Sequence, residues 1–318
     1  MDMADVAGRA SVDPEVRKFV DGLAEGYRRY ASEHDAPPAR RREIAELVRE
    51  PWRTGGPVMA ETRDFEHDGV RLRLHRPTLQ ADLPMLIYIH GGGWMLFSID
   101  THDRLMREYA HRAGIAVLGV DYSLAPEVRY PVALNEIDGV VRWAEDMGAR
   151  ELGIEGQRIV IGGDSAGANL AVATCLKRRD EGRTSLAGML LSYGAFDPRH
   201  RPSYDLYTGP EFTLEAGEMD AFWENYVGDA ALLDDPLVAP IKADLRGLPS
   251  AHLTVAECDV LADSNVEFAQ ALKASAVPLE CNLVRGATHS FLEAMSVAVL
   301  ADRALDQQAR WLANVVTA

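Results

Sequence analysis

The sequence predicts an α/β protein built on a mostly parallel sheet of eight strands flanked by helices. Three observations carry that expectation. Short, largely apolar runs recur at 85–89, 115–120, 158–161, 187–191, 251–255 and 279–284. Strands covered on both faces of a parallel sheet read this way. Segments with helical patterning, such as 104–113, 134–147 and 168–179, lie between the runs, and strand–helix alternation implies parallel strands joined by right-handed crossovers. Two glycine motifs directly follow two of the runs, at the carboxyl edge where open α/β sheets hold their ligands.

The elements follow in order. Asp13 is placed to cap a helix with Pro14 in its first turn, and Val16, Phe19, Val20 and Leu23 then share one face. Pro37-Pro38 separates this helix from a second, short one carrying Ile44, Leu47 and Val48. Residues 59–65 and 69–76 read as two strands around the turn His67-Asp68-Gly69. The six apolar runs then supply the remaining strands. Residues 199–245, rich in Pro, Gly and acidic side chains, interrupt the alternation and are too long for an ordinary connection. A helix is expected at 214–227 within them. Val297, Ala301, Leu305, Ala309, Leu312 and Val316 give the last helix a face for the sheet. The expected organisation is a helical arm at 1–57 that forms part of a cap, a catalytic core at 58–198 and 246–318, and a cap insertion at 199–245.

Composition narrows the functional classes. Hydrophobic residues make up 47% of the 318 positions, and 33 basic against 49 acidic residues leave a net charge of −16. Such a surface repels nucleic acid and anionic membranes. No apolar run reaches the length of a membrane span. Residues 1–6 lack the basic and apolar regions of a secretory signal. Cys175, Cys258 and Cys281 show no metal-binding spacing, and their odd number suits a reducing compartment. A cytoplasmic protein without metal or other cofactor is expected.

The chemistry concentrates in four places. Gly163-Asp164-Ser165-Ala166-Gly167 follows the run 158–161 and opens a small-residue helix, the setting of a nucleophile elbow that projects a serine above the sheet. His90-Gly91-Gly92-Gly93-Trp94 follows the run 85–89. Its glycines leave backbone amides free to face an oxyanion, and Gly92, Gly93 and Ala166 are the candidate donors, with His90 expected to be buried and structural. A serine needs a base, and His289 is the histidine that follows the last predicted strand. Asp259 follows the preceding strand, while Asp197 is the alternative after an earlier one. The order serine, acid, histidine seen in α/β-hydrolases favours Asp259. Asp263 is expected to begin or cap the next helix. Trp94, Phe97, Phe212, Phe222 and Trp223 are candidates to line a substrate pocket.

Together with Asp121-Tyr122-Ser123-Leu124-Ala125-Pro126-Glu127, Asp235-Pro236-Leu237-Val238-Ala239-Pro240, Asp259-Val260-Leu261-Ala262-Asp263 and His289-Ser290-Phe291, these motifs resemble the hormone-sensitive-lipase-like α/β-hydrolases, the bacterial carboxylesterases with a His-Gly-Gly-Gly motif. The resemblance covers roughly residues 58–315. It implies a helical cap, a triad of Ser165, Asp259 and His289, cofactor-free hydrolysis of short to medium acyl esters, and often a homodimer. Three positions depart from the family habit: Ser123 stands where Arg is usual, Val260 where Pro is common, and Ser290 where Gly is common. An arylformamidase-like amide hydrolase, a deacetylase or lactonase, and a non-catalytic small-molecule receptor are the alternative functions.

Overall fold

A computed structural model describes residues 9–33 and 35–317. The expectation that residues 1–6 carry no secretory signal falls outside the described residues. Eight strands form one sheet: β1 (Glu61–His67), β2 (Val70–Arg76), β3 (Leu83–Ile89), β4 (Ala116–Asp121), β5 (Ile154–Asp164), β6 (Gly188–Ser192), β7 (Ala251–Cys258) and β8 (Leu279–Thr288), in the spatial order β1-β2-β4-β3-β5-β6-β7-β8. β2 runs antiparallel to both β1 and β4, and every other pairing is parallel. The helices are α1 (Pro14–Arg28), α2 (Pro38–Arg53), α3 (Asp103–Ala113), α4 (Val132–Trp143), α5 (Ala149–Leu152), α6 (Ala166–Asp180), α7 (Pro202–Leu206), α8 (Ala216–Val227), α9 (Ala262–Ala274) and α10 (Val299–Val315).

The period of two along each strand divides the core. Met85, Ile87 and Ile89 of β3 and Ile159 and Ile161 of β5 share one apolar layer with Ile137 of α4, Leu170 of α6 and Phe268 of α9. Leu86 and Tyr88 of β3 and Val160 of β5 face the other layer, with Phe19 of α1, Met106 of α3 and Leu305 of α10. Strands covered on both faces favour continuous apolar runs, as in β3, β4 and β6, whereas β8, at the sheet edge, alternates Leu279, Cys281 and Leu283 with Glu280 and Asn282.

Several local expectations hold for visible reasons. The Asp13 carboxylate accepts from the amides of Glu15 and Val16, and the four named residues of α1 are buried. Asp68 and Gly69 both have positive φ and close the β1–β2 hairpin in two residues. Others differ. α2 is sixteen residues long, not short, and Leu47 is exposed. Its buried face is Ile44, Ala45, Val48 and Arg49, so a charged residue occupies an inward position that an apolar reading passes over. The single helix expected at 134–147 ends at Trp143, where the backbone widens into a π-turn before α5.

Below the carboxyl edge of the sheet lies a buried polar network that joins three elements. Asp164, the last residue of β5, accepts from the Tyr88 hydroxyl of β3 (2.7 Å) and the Gly91 amide (3.0 Å), and its carboxylate lies 3.4 Å from His102 Nε2, just before α3. Burial raises the Asp164 carboxyl, but His102 and the Tyr88 hydroxyl outweigh it and hold it at about 2. Burial likewise disfavours the His102 imidazolium, and the adjacent Asp164 carboxylate more than compensates, so His102 titrates above its ordinary value. A carboxyl held below its ordinary value of about 4 stabilises the folded state fully above that pH, and the stabilisation is lost as the pH falls through about 2. Asp164→Asn should therefore cost on the order of 2–3 kcal/mol near pH 5, with the gap from wild type narrowing between pH 4 and pH 2. Urea unfolding at stepped pH measures this, and a gap that stays constant with acidification would refute it.

Candidate active site

The nucleophile candidate sits where β5 turns into α6. Ser165 adopts φ 53° and ψ −118°, a conformation that costs a side-chain-bearing residue energy and is kept only when its surroundings enforce it. The enforcement is visible: the Ser165 amide donates to Ser192 O (2.9 Å), and Ser165 O accepts from the amides of Asn169 and Ala195 (both 3.2 Å). Gly163 and Gly167 flank the turn, and a Cβ on either would strike the carbonyl of Ile89 at the end of β3.

The remaining groups arrive from neighbouring strand ends. His289 follows β8 and Asp259 follows β7. His289 Nδ1 lies 2.7 Å from Asp259 Oδ2, and Nε2 lies 2.9 Å from Ser165 Oγ. With Nδ1 donating to the carboxylate, Nε2 is left to accept the serine proton. Asp259 Oδ1 is steadied by the Leu261 amide (3.0 Å). The Tyr193 ring meets His289 edge-on at 5.0 Å, and Thr213 Oγ1 donates to the His289 carbonyl (2.5 Å). All three side chains are buried. Asp197 lies elsewhere, bound by Arg199 and Arg201.

The turn after β3 presents the candidate donors. Gly92 O accepts from the amides of Met95 (3.1 Å) and Leu96 (2.9 Å). Because carbonyl and N–H point in opposite directions across a trans peptide, this fixes the Gly93 N–H on the other side. Among the described residues, the amides of Gly92, Gly93 and Ala166 donate to no acceptor within the protein, whereas the Gly91 amide is taken by Asp164. Gly92 has φ 112°, which L side chains rarely adopt. His90 is buried, donates through Nδ1 to its neighbouring carbonyl Gly91 O (2.7 Å), and stacks on Tyr122. Burial pushes its imidazole down to about 3, with His102 adding repulsion, so it is neutral and structural.

A cavity of about 240 Å³ opens on Ser165, His289, Gly92 and Gly93. Its walls include Val20 and Leu23 of α1, Leu96, Phe97, Phe212, Leu214 and Phe222 of α8. Trp94 and Trp223 are not among the lining residues. Trp94 stacks flat on Tyr226 at 4.4 Å and packs against Trp223 at 4.5 Å, making an aromatic core behind the cavity instead of its wall. The sequence reading passed over Arg49, Tyr27 and Glu218, which do line the cavity, and the His102 support beneath the turn. Only the inward placement of charged or titratable residues on α2 and just before α3 would have signalled Arg49 and His102, and that placement follows from packing.

The three departures from the family habit have local explanations where the structure offers one. Ser290 has φ 59°, the left-handed region that favours the glycine common there. Ser123 donates its amide and hydroxyl to Glu136 (2.7 and 2.6 Å). Val260 is buried, and its carbonyl accepts from Ser203 Oγ (2.7 Å). Among the described residues, no group of three or more His, Cys, Asp and Glu side chains is placed to hold a metal ion. No helix among them is long and apolar enough to cross a membrane.

Comparison with known proteins places this geometry. Residues 86–293 match a family described as the alpha/beta hydrolase fold. The hyperthermophilic esterase of the archaeon Pyrobaculum calidifontis is similar over 97% of this chain and all of its own, at 30% identity and a TM-score of 0.88. A thermostable carboxylesterase cloned from a metagenomic library is 30% identical over 89% of this chain and 98% of its own, with a TM-score of 0.85. A thermostable esterase from Pseudomonas putida is 27% identical over 98% of this chain and 99% of its own, with a TM-score of 0.86. Both the family match and the likeness to esterases along nearly the whole length lead to one assignment: the chain belongs to the α/β-hydrolase fold family, in its hormone-sensitive-lipase-like carboxylesterase branch.

Proposed function

We propose that this chain is a serine carboxylesterase that cleaves short to medium acyl esters through an acyl-enzyme on Ser165. The observation that carries the reading is the unbroken hydrogen-bonded chain from Asp259 through His289 to Ser165, opening into a cavity beside three unpaired amides. The esterases that resemble the chain support the same reaction class.

His289 Nε2 takes the Ser165 proton as Oγ attacks the acyl carbon. The amides of Gly92, Gly93 and Ala166 receive the oxyanion, each donor being worth on the order of 3 kcal/mol in the barrier. His289 then hands the proton to the leaving alcohol. Water, deprotonated by the same nitrogen, attacks the acyl-enzyme and frees the acid. Asp259 holds the imidazole tautomer and stabilises its charged form. The helices of 1–57 and 199–245 serve as the cap, with α1 and α8 closing the acyl pocket. A receptor role is less favoured because the residues needed for acyl transfer are complete, and a formamidase role because the similar structures are esterases. The unpaired thiols of Cys175, Cys258 and Cys281 support a cytoplasmic location. A homodimer is the family expectation for its assembly.

Ser165→Ala should remove p-nitrophenyl butyrate hydrolysis and fluorophosphonate labelling while leaving the circular dichroism spectrum unchanged; a variant with wild-type turnover would sink the assignment. Asp259→Asn should lower kcat roughly 10³–10⁴-fold by losing the tautomer-fixing carboxylate. Asp197→Asn, which disturbs only an arginine cluster, should stay within about tenfold of wild type, since its partners lie away from the reacting atoms. The reverse ranking would move the acid to Asp197. Activity along a series of acyl esters should peak at about two to eight carbons, in keeping with a cavity at the small end of ligand sites. Phe222→Ala should shift that peak to longer chains. A wild-type maximum on long-chain triglycerides would contradict the pocket assignment.

A further inference from the structure

Helix α2 carries a polar stripe on its inward side. Arg42, Glu46 and Arg49 are spaced by four and three residues and therefore share a face. Arg42 donates to Met95 O and Ala125 O (both 2.8 Å). Glu46 accepts from Ser98 Oγ (2.6 Å). Arg49 pairs with Glu293 and lies over the Phe97 ring, 4.2 Å from its centre. The side chains of Arg49 and Glu293 are both at least 94% buried.

The stripe thus grips two separate pieces of the active site. Residues 95–98 complete the turn whose Met95 and Leu96 amides hold Gly92 O and so orient the Gly93 N–H. Glu293 belongs to the helical turn Phe291–Ser296, and its amide donates to Ser290 O, next to His289. One guanidinium spans both: its Cζ lies over the Phe97 ring, and its Nη1 donates to Glu293 Oε1. A buried ion pair is weak as a source of stability, because desolvation offsets the attraction. Catalysis, by contrast, needs the oxyanion donors and the base held to a fraction of an ångström.

We propose that Arg49, with Glu293 as its counter-ion, is a positioning residue that sets the oxyanion turn against the catalytic histidine; this rests on the esterase reading above. The cap helix α2 then does more than roof the pocket. It fixes the distance between two loops that join the sheet at different strands, β3 and β8.

The test uses the full chain. Arg49→Met combined with Glu293→Gln removes both charges, so neither is left buried alone. Arg49→Lys keeps a charge opposite Glu293 but loses the guanidinium that lies over Phe97. Each variant is assayed on p-nitrophenyl butyrate and titrated with an alkyl trifluoromethyl ketone, whose adduct with Ser165 places an oxyanion at the three amides. The double variant should lose about 10- to 100-fold in kcat, the range expected from a small misplacement. KM should move by less than about threefold, and the ketone's inhibition constant should rise in step with the loss of kcat/KM, as for any interaction made only in the transition state. Arg49→Lys should show the same pattern with a smaller loss, and it carries the test alone if the double variant does not fold. Wild-type kcat and ketone affinity in a folded variant would overturn the positioning role. So would a rise in KM alone. A wild-type chain that neither hydrolyses esters nor takes up fluorophosphonate would instead overturn the esterase reading itself.

Discussion

The carbonyl oxygen of Ile89 occupies the space that a Cβ on either Gly163 or Gly167 would need. This contact draws the end of β3, the end of β5 and the first turn of α6 together more closely than side chains permit. The glycine turn that follows Ile89 and the serine that follows Gly163 are neighbours because of it. The positive φ of Ser165 is the backbone cost of making so sharp a turn. The hydrogen bonds to Ser192, Asn169 and Ala195 spread that cost over the adjoining strand and helix.

From that contact the rest of the site is assembled by strand order. β5, β6, β7 and β8 are successive parallel neighbours, so the segments leaving β7 and β8 lie on the same side as Ser165. Asp259 and His289 need only short excursions to reach it. Asp164 works on the underside, joining β3, β5 and the start of α3 through Tyr88, Gly91 and His102. Its charge is affordable in the interior because donors and an imidazole surround it. The Gly91 amide is thereby consumed in structure, and the next two amides of the turn are left without a protein acceptor among the described residues.

The upper side is built differently. α1, α2 and α8 lie over the glycine turn and enclose a cavity beside the serine. Apolar contacts from Val20, Leu23 and Phe222 make its walls, whereas α2 adds to its apolar face the polar contacts of Arg42, Glu46 and Arg49. Apolar packing tolerates sliding by a rotamer. The forked hydrogen bonds of Arg42 to the carbonyls of Met95 and Ala125 do not.

Much of this was legible in the chain itself. Largely apolar runs separated by helical segments specify buried parallel strands, because burial on both faces favours continuous apolar residues. Gly163-x-Ser165-x-Gly167 and Gly91-Gly92-Gly93 are readable because only glycine fits such turns, so local geometry is written directly into residue type. Asp259 and His289 were legible by their places after successive strands. The aromatic residues were not sorted correctly by type: Phe97, Phe212 and Phe222 face the cavity, while Trp94 and Trp223 pack behind it with Tyr226. Nor could the sequence show that Arg49 faces inward, since an arginine on an amphipathic helix ordinarily faces water. Local conformation depends on neighbours along the chain and was determined there. Which side chains share a cavity depends on contacts between residues 49, 97 and 293, and only the folded structure decides those.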